Sequence, residues 1–199
     1  MNRINILKLT ADNVSLFSHN HFELDFTNKI QVTNYNFDHP FYNVFSRLFL
    51  PKYIAFNGVN SSGKTTIVEM ISFFIFYHIN LLSIESRECI KILDKFHIGK
   101  DMIFTMYFEL KGKIYKVITT IGTPSEKYDV LGLGFPFEVK NEEVYIKDIN
   151  SRTPRKLLFE EDFKLVHSYA TLNEKEQRLI KGKNTSLLLI TGFASTFGT

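Results

Sequence analysis

Two glycines five residues apart, Gly58 and Gly63, run directly into Lys64 and Thr65 in the stretch Gly58-Val59-Asn60-Ser61-Ser62-Gly63-Lys64-Thr65. These types at this spacing suit one piece of chemistry, the cradling of a polyphosphate. The glycines permit a loop that Cβ atoms would block, and backbone N–H groups from about Asn60 to Thr65 then converge on phosphate oxygens. Lys64 adds a cation that reaches β- and γ-phosphates, the Thr65 hydroxyl is placed to ligate Mg²⁺, and Thr66 adds an α-phosphate contact. The binding set is therefore Gly58, Asn60, Ser61, Ser62, Gly63, Lys64, Thr65 and Thr66, with Lys64 the catalytic candidate and Thr65 the metal ligand. A chance match in a chain of this length is about one in a hundred, because glycine usage of about 7% enters twice.

Such a loop works only between a strand that delivers it and a helix that points its positive N-terminal end at the anion. Tyr53 to Phe56 is a short apolar run that reads as a buried strand, and helix is predicted from Gly63 to about Ile84. Upstream, Ile4 to Thr10 and His21 to Phe26 read as strands, the second alternating Phe22, Leu24 and Phe26 with Glu23 and Asp25. Asn28 to Leu50 reads as an irregular insertion or a short helix. Downstream, Glu85 to about Phe96 has helical spacing, and Ile103 to Ile121 is a hairpin turning at Lys111-Gly112. Phe137 to Lys147 reads as a further strand, Ser151 to Arg155 as a basic loop and Glu160 to Lys181 as mixed helix and charge, ahead of the apolar run Leu187 to Ala194.

The 199 residues suffice for a single core. Within that one domain, 1–100 carries the first strands, the loop and the long helix, and 101–199 is hairpin-rich with C-terminal helices. A net charge of +3 is too small to imply nucleic acid or an anionic membrane. The lone Cys89 has no disulfide partner and reads as a small buried apolar residue; with no signal peptide at Met1 to Ile6, a cytoplasmic location follows as an expectation. Ile67 to Ile84 is apolar nearly all round, but Glu69, Ser72, His78 and Asn80 interrupt it, so it reads as a packed helix and not a membrane span.

Other patterns carry less chemistry. His19-x-His21 lacks further ligands at metal spacing, and Glu142-Glu143 and Glu160-Glu161-Asp162 read as solvated faces. Lys111, Lys113 and Lys116, with Arg152, Arg155 and Lys156, read as a solubilising surface, with nucleic-acid phosphate as the alternative contact. Asn13-Val14-Ser15, Asn60-Ser61-Ser62 and Asn184-Thr185-Ser186 match a glycosylation acceptor, but the middle one lies inside the phosphate loop.

The order of elements resembles a particular class of Walker A proteins. Ile4-Asn5-Ile6-Leu7-Lys8-Leu9, Asn13-Val14-Ser15-Leu16-Phe17 and Phe22-Glu23-Leu24-Asp25-Phe26 precede Ile54-Ala55-Phe56-Asn57-Gly58 and the loop, which is similar to the N-terminal lobe of ABC-type ATPases, and within them to the AAA15/OLD-like proteins related to RecF and to structural-maintenance-of-chromosomes heads. Lys111-Gly112-Lys113-Ile114-Tyr115, Glu142-Glu143-Val144-Tyr145 and Asn184-Thr185-Ser186-Leu187-Leu188-Leu189 extend the likeness along most of the chain. The resemblance implies an α/β P-loop NTPase fold with an antiparallel β-subdomain beside the phosphate strand and helix. It also implies ATP and Mg²⁺ as cofactors, ATP hydrolysis by the complete form, and partners that include a homodimer or full-length ATPase and a DNA-acting nuclease or effector, in DNA-linked or phage-defence processes.

The family's hydrolytic machinery, an apolar strand ending in Asp-Glu and a Leu-Ser-Gly-Gly-type signature, has no counterpart here: Leu187 to Ile190 runs into Thr191-Gly192. The expectation is therefore the N-terminal portion of a larger ATPase. Two alternatives stay open. One is a stand-alone phosphotransferase, for whose acceptor site Asp94, Asp101 and Arg87 are poor candidates, and the other is an inactive nucleotide-binding fragment serving as an interaction subunit.

Overall fold

The computed structural model describes residues 4–27, 40–45, 48–59, 63–124, 136–149, 158–160, 162–181 and 184–189. The expected strands at the start are β1 (Asn5–Asp12) and β2 (His21–Asp25), and the expected hairpin is β5 (Met102–Leu110) with β6 (Lys113–Gly122). Lys111 and Gly112 both take positive φ in the tight turn between β5 and β6. With β7 (Glu138–Asp148) and β8 (Lys164–Ser168) they form a six-stranded sheet in the order β2-β1-β5-β6-β7-β8, every pairing antiparallel.

Strand periodicity gives this sheet two unlike faces. Register aligns Leu9, Met106, Val117 and Val144 across β1, β5, β6 and β7, and beside them Ala11, Phe104, Thr119 and Glu142. That face packs on two helices, α1 (Lys64–Phe74) and α2 (Arg87–Phe96). Phe73 and Phe74 of α1 meet the Phe104 ring at 4.5 and 5.8 Å, and Lys95 of α2 pairs with Glu69 of α1. Cys89, as expected, is fully buried there. α2 starts at Ser86, whose Oγ accepts from the Cys89 N–H as an N-cap.

The opposite face holds a second cluster of Leu7, Tyr107, Ile114 and Leu158 under a small hairpin, β3 (Phe41–Phe45) and β4 (Leu48–Pro51), which supplies Leu48 and Leu50. A bulge between Ile6 and Lys8 is what turns Leu7 to this side while Leu9 stays on the other. Where an irregular segment or short helix was expected up to Leu50, the described part is thus a hairpin; 28–39 lie outside the described residues.

Three further expectations change. The helix predicted to Ile84 ends its α-helical part at Phe74 and continues as one π-turn, Ile75–Ile79. Tyr53 to Phe56 pairs with no strand among the described residues and, apart from half-buried Phe56, is exposed, with Tyr53 at 87% and Ile54 at 47%. Glu160 to Lys181 holds β8 and a helix, α3 (Glu174–Lys181), so its charged residues sit on both kinds of element. No helix among the described residues is long and apolar enough to cross a membrane.

Candidate phosphate-binding site

α1 begins at the loop. Its N-cap is Gly63, at φ 83° and ψ 8°, a left-handed conformation that costs glycine little. The first helical hydrogen bond runs from the Ile67 N–H to the Gly63 carbonyl at 3.0 Å, so the N–H groups of Lys64, Thr65 and Thr66 lie ahead of the helical ladder at its positive end. Gly63 offers no side chain to cap them.

The Lys64 side chain folds back over the loop. Its Nζ donates to the carbonyl oxygens of Gly58, at 2.7 Å, and Val59, at 2.8 Å. The other end of the loop is tied by Asn57, whose Oδ1 accepts from the Gly58 N–H at 2.8 Å. Gly58 and Val59 are exposed, Gly63, Lys64 and Thr66 half-buried, and Thr65 is exposed on the first turn. The described residues Gly58, Gly63, Lys64, Thr65 and Thr66 therefore come together at one helix end, while Asn60, Ser61 and Ser62 lie outside the described residues. An anion seated here would meet amides, the helix dipole and an ammonium group, and the exposed Thr65 hydroxyl fits a Mg²⁺ held chiefly by phosphate oxygens and water.

The other sequence candidates are dispersed. Arg87, Asp94 and Asp101 are exposed, the last on the loop between α2 and β5. His21 Nδ1 lies 2.6 Å from Asp12 and its Nε2 3.6 Å from Glu23, which in turn meets Lys8 at 3.0 Å, a partly exposed polar chain across β1 and β2. Lys8 lowers the Glu23 carboxyl. Lys116 is half-buried and its Nζ stands 5.8, 5.7 and 5.9 Å from the Tyr107, Tyr145 and Phe163 rings, so it packs on aromatics and does not extend the solvated surface of Lys111 and Lys113. Arg152, Arg155 and Lys156 lie outside the described residues, as does Glu161.

Glu142 overturns its expected place on a solvated face: it is fully buried. Its Oε2 accepts from Tyr77 Oη at 3.0 Å and Thr119 Oγ1 at 2.7 Å, and its Oε1 from Ser186 Oγ and the Leu187 N–H, both at 2.6 Å. His78 Nε2 lies 2.9 Å from the same Thr119 hydroxyl. Burial pushes the Glu142 carboxyl up against the opposing pull of its four donors, and burial holds the His78 imidazole down at about 3. Period-two alternation was the signal for this, since Glu142 shares its face of β7 with the core residue Val144. The π-turn has no such signal: it brings the consecutive residues Tyr77 and His78 both inward.

Compared with protein-family models, with curated proteins and with solved structures, the chain matches none of them.

Proposed function

We propose that this chain binds ATP with Mg²⁺ through the loop from Gly58 to Thr66, as the N-terminal portion of an ABC-type, AAA15/OLD-like ATPase of α/β P-loop architecture. The observation that supports the binding most directly is the loop's closure: Lys64 Nζ lies on the carbonyls of Gly58 and Val59, with Gly63 left-handed at the helix N-cap. A phosphate group of higher charge density would draw the ammonium from these carbonyls while meeting the amides of the first turn. Adenine, hydrolysis by the complete form, and a DNA-acting or nuclease partner rest on the resemblance. Calorimetric titration with a non-hydrolysable ATP analogue and Mg²⁺ tests the site: Lys64→Ala is expected to weaken binding by about tenfold or more, on the scale of one lost charge-assisted contact. Unchanged affinity would remove Lys64 from the site.

The exposure of Tyr53, Ile54 and Val59 favours a second reading of the chain's role, as a nucleotide-binding subunit that associates with a full-length ATPase or a second copy. An exposed apolar segment leading into the loop is a surface on which a partner can pack. ATP turnover by the purified 199-residue chain, lost in Lys64→Ala, would count against a purely associative role.

A further inference from the structure

The turn Asn184–Leu189 is fastened at two places to the stretch that follows the phosphate-loop helix. The Asn184 carbonyl accepts from the Ile84 N–H at 3.0 Å and its Nδ2 donates to Glu85 Oε1 at 2.6 Å. Ser186 and Leu187 are held by Glu142, whose other oxygen is held by Tyr77 of the π-turn. Ser186 Oγ also accepts from the Leu188 N–H at 3.3 Å. Glu142 and its four partners are buried, Asn184 and Glu85 are half-buried, and the four donors on Glu142 are neutral, so among the described residues these contacts alone hold the carboxyl.

The π-turn interrupts the regular helical ladder at the end of α1. In it, Asn80 N–H bonds to the Ile75 carbonyl at 2.8 Å and Leu82 N–H to the Phe76 carbonyl at 2.9 Å, in place of the regular four-residue ladder. Tyr77 lies within this turn, so rewinding it to regular α-helix would change the direction of the Tyr77 side chain relative to α1 and with it the bond to Glu142. The Tyr77 bond at 3.0 Å is the longest of the four on that carboxyl.

We propose that Tyr77 and Glu142 couple the phosphate loop to the Asn184–Leu189 turn, so that occupancy at the N-terminus of α1 sets, through the π-turn, how firmly this turn is held. The proposal rests on nucleotide binding at the loop and assigns its regulation. Tyr77 and Glu142 are positioning residues: neither touches the loop, and Tyr77 lies about 20 Å along the helix from Lys64 at 1.5 Å per residue.

Amide hydrogen exchange of the 199-residue chain, with and without a saturating ATP analogue and Mg²⁺, reads the coupling at the Leu187 and Leu188 amides. Protection there is expected to change by about fivefold or more on binding in the wild type, and by under about twofold in Tyr77→Phe, which keeps the ring and removes the donor. Ser186→Ala removes one donor on the turn side and also the acceptor of the Leu188 N–H, so it is read at the Leu187 amide alone, where the same loss of response is expected should Tyr77→Phe not fold. Calorimetry on the same samples separates the outcomes. Binding with unchanged exchange at Leu187 and Leu188, or a full response in both variants, overturns the coupling alone; no binding at all overturns both the coupling and the assignment of the loop.

Discussion

The ammonium nitrogen of Lys64 lies 2.7 Å from the carbonyl oxygen of Gly58, six residues earlier in the chain, and thereby closes the loop with a cation in place of a side-chain cap. Because that cation is half-buried and bonded to neutral carbonyls, it fixes local geometry far more than it stabilises the fold. Lys64→Met is therefore expected to lower unfolding stability in urea by less than about 1 kcal/mol while increasing proteolytic nicking near Asn57 and Gly58. A loss of several kcal/mol, or an unchanged nicking rate, would show that the bridge does something else.

Gly63 makes the turn possible for a reason that concerns backbone and not space. A Cβ placed there would meet no heavy atom within 4 Å, yet the φ of 83° is one that side chains disfavour. Gly63→Ala is expected to cost about 1–2 kcal/mol of stability, with Gly63→Asn costing less because asparagine tolerates left-handed backbone. Thermal unfolding of the two variants side by side checks the order, and equal costs would contradict it.

Much of the sheet was legible because its strands alternate. β2, β5 and β6 follow the period-two pattern of their apolar residues, β1 does so only beyond its bulge, and the Lys111-Gly112 turn marks its hairpin plainly. The start of α1 at Gly63-Lys64 was legible from residue types alone, since the spacing from Gly58 to Thr65 predicts a helix entered from a glycine turn. What could not be read was context. The Tyr53 to Phe56 run has the composition of a buried strand, but burial depends on a neighbour, and among the described residues none pairs with it. Glu142 looked like its half-buried neighbour Glu143 because a charge ordinarily stays in water, and the hydroxyls of Tyr77, Thr119 and Ser186 with the Leu187 N–H, all distant in sequence, make its burial tolerable. The π-turn at Ile75–Ile79 escaped for a similar reason: its sequence Ile-Phe-Tyr-His-Ile is uniformly bulky and shows no phase.

Two apolar residues close to the loop are expected to behave oppositely. Phe73 is fully buried against Phe104 at 4.5 Å, so Phe73→Ala should cost about 3–5 kcal/mol by lost transfer and cavity. Tyr53 is 87% exposed, and Tyr53→Ser should stay within about 0.5 kcal/mol of wild type. Urea unfolding of both variants is the measurement, and a large loss from Tyr53→Ser would place that residue in a core that the described contacts do not show.

His78 and Glu142 should give stability two opposing dependences on pH. The His78 imidazole, held by burial at about 3 against an ordinary 6.5, contributes stability that is complete above 6.5 and is lost as pH falls toward 3. Spread over that window the loss is on the order of 4–5 kcal/mol. Glu142 works in the other direction, because burial raises its carboxyl above 4.5: its contribution is complete below 4.5 and is lost as pH rises through the raised value. The partners of Glu142 are the neutral groups of Tyr77, Thr119, Ser186 and Leu187, so among the described residues no bonded cation offsets the charge that develops. His78→Gln should therefore flatten the acid limb of a stability profile measured by urea unfolding from pH 4 to 8, and Glu142→Gln should remove the decline on the rising side. Glu142→Ala should instead cost about 3 kcal/mol at every pH, since it strands the buried Leu187 N–H along with three hydroxyls. Profiles for wild type and His78→Gln that run parallel between pH 6.5 and 4 would mean that the imidazole is not held neutral in the folded chain.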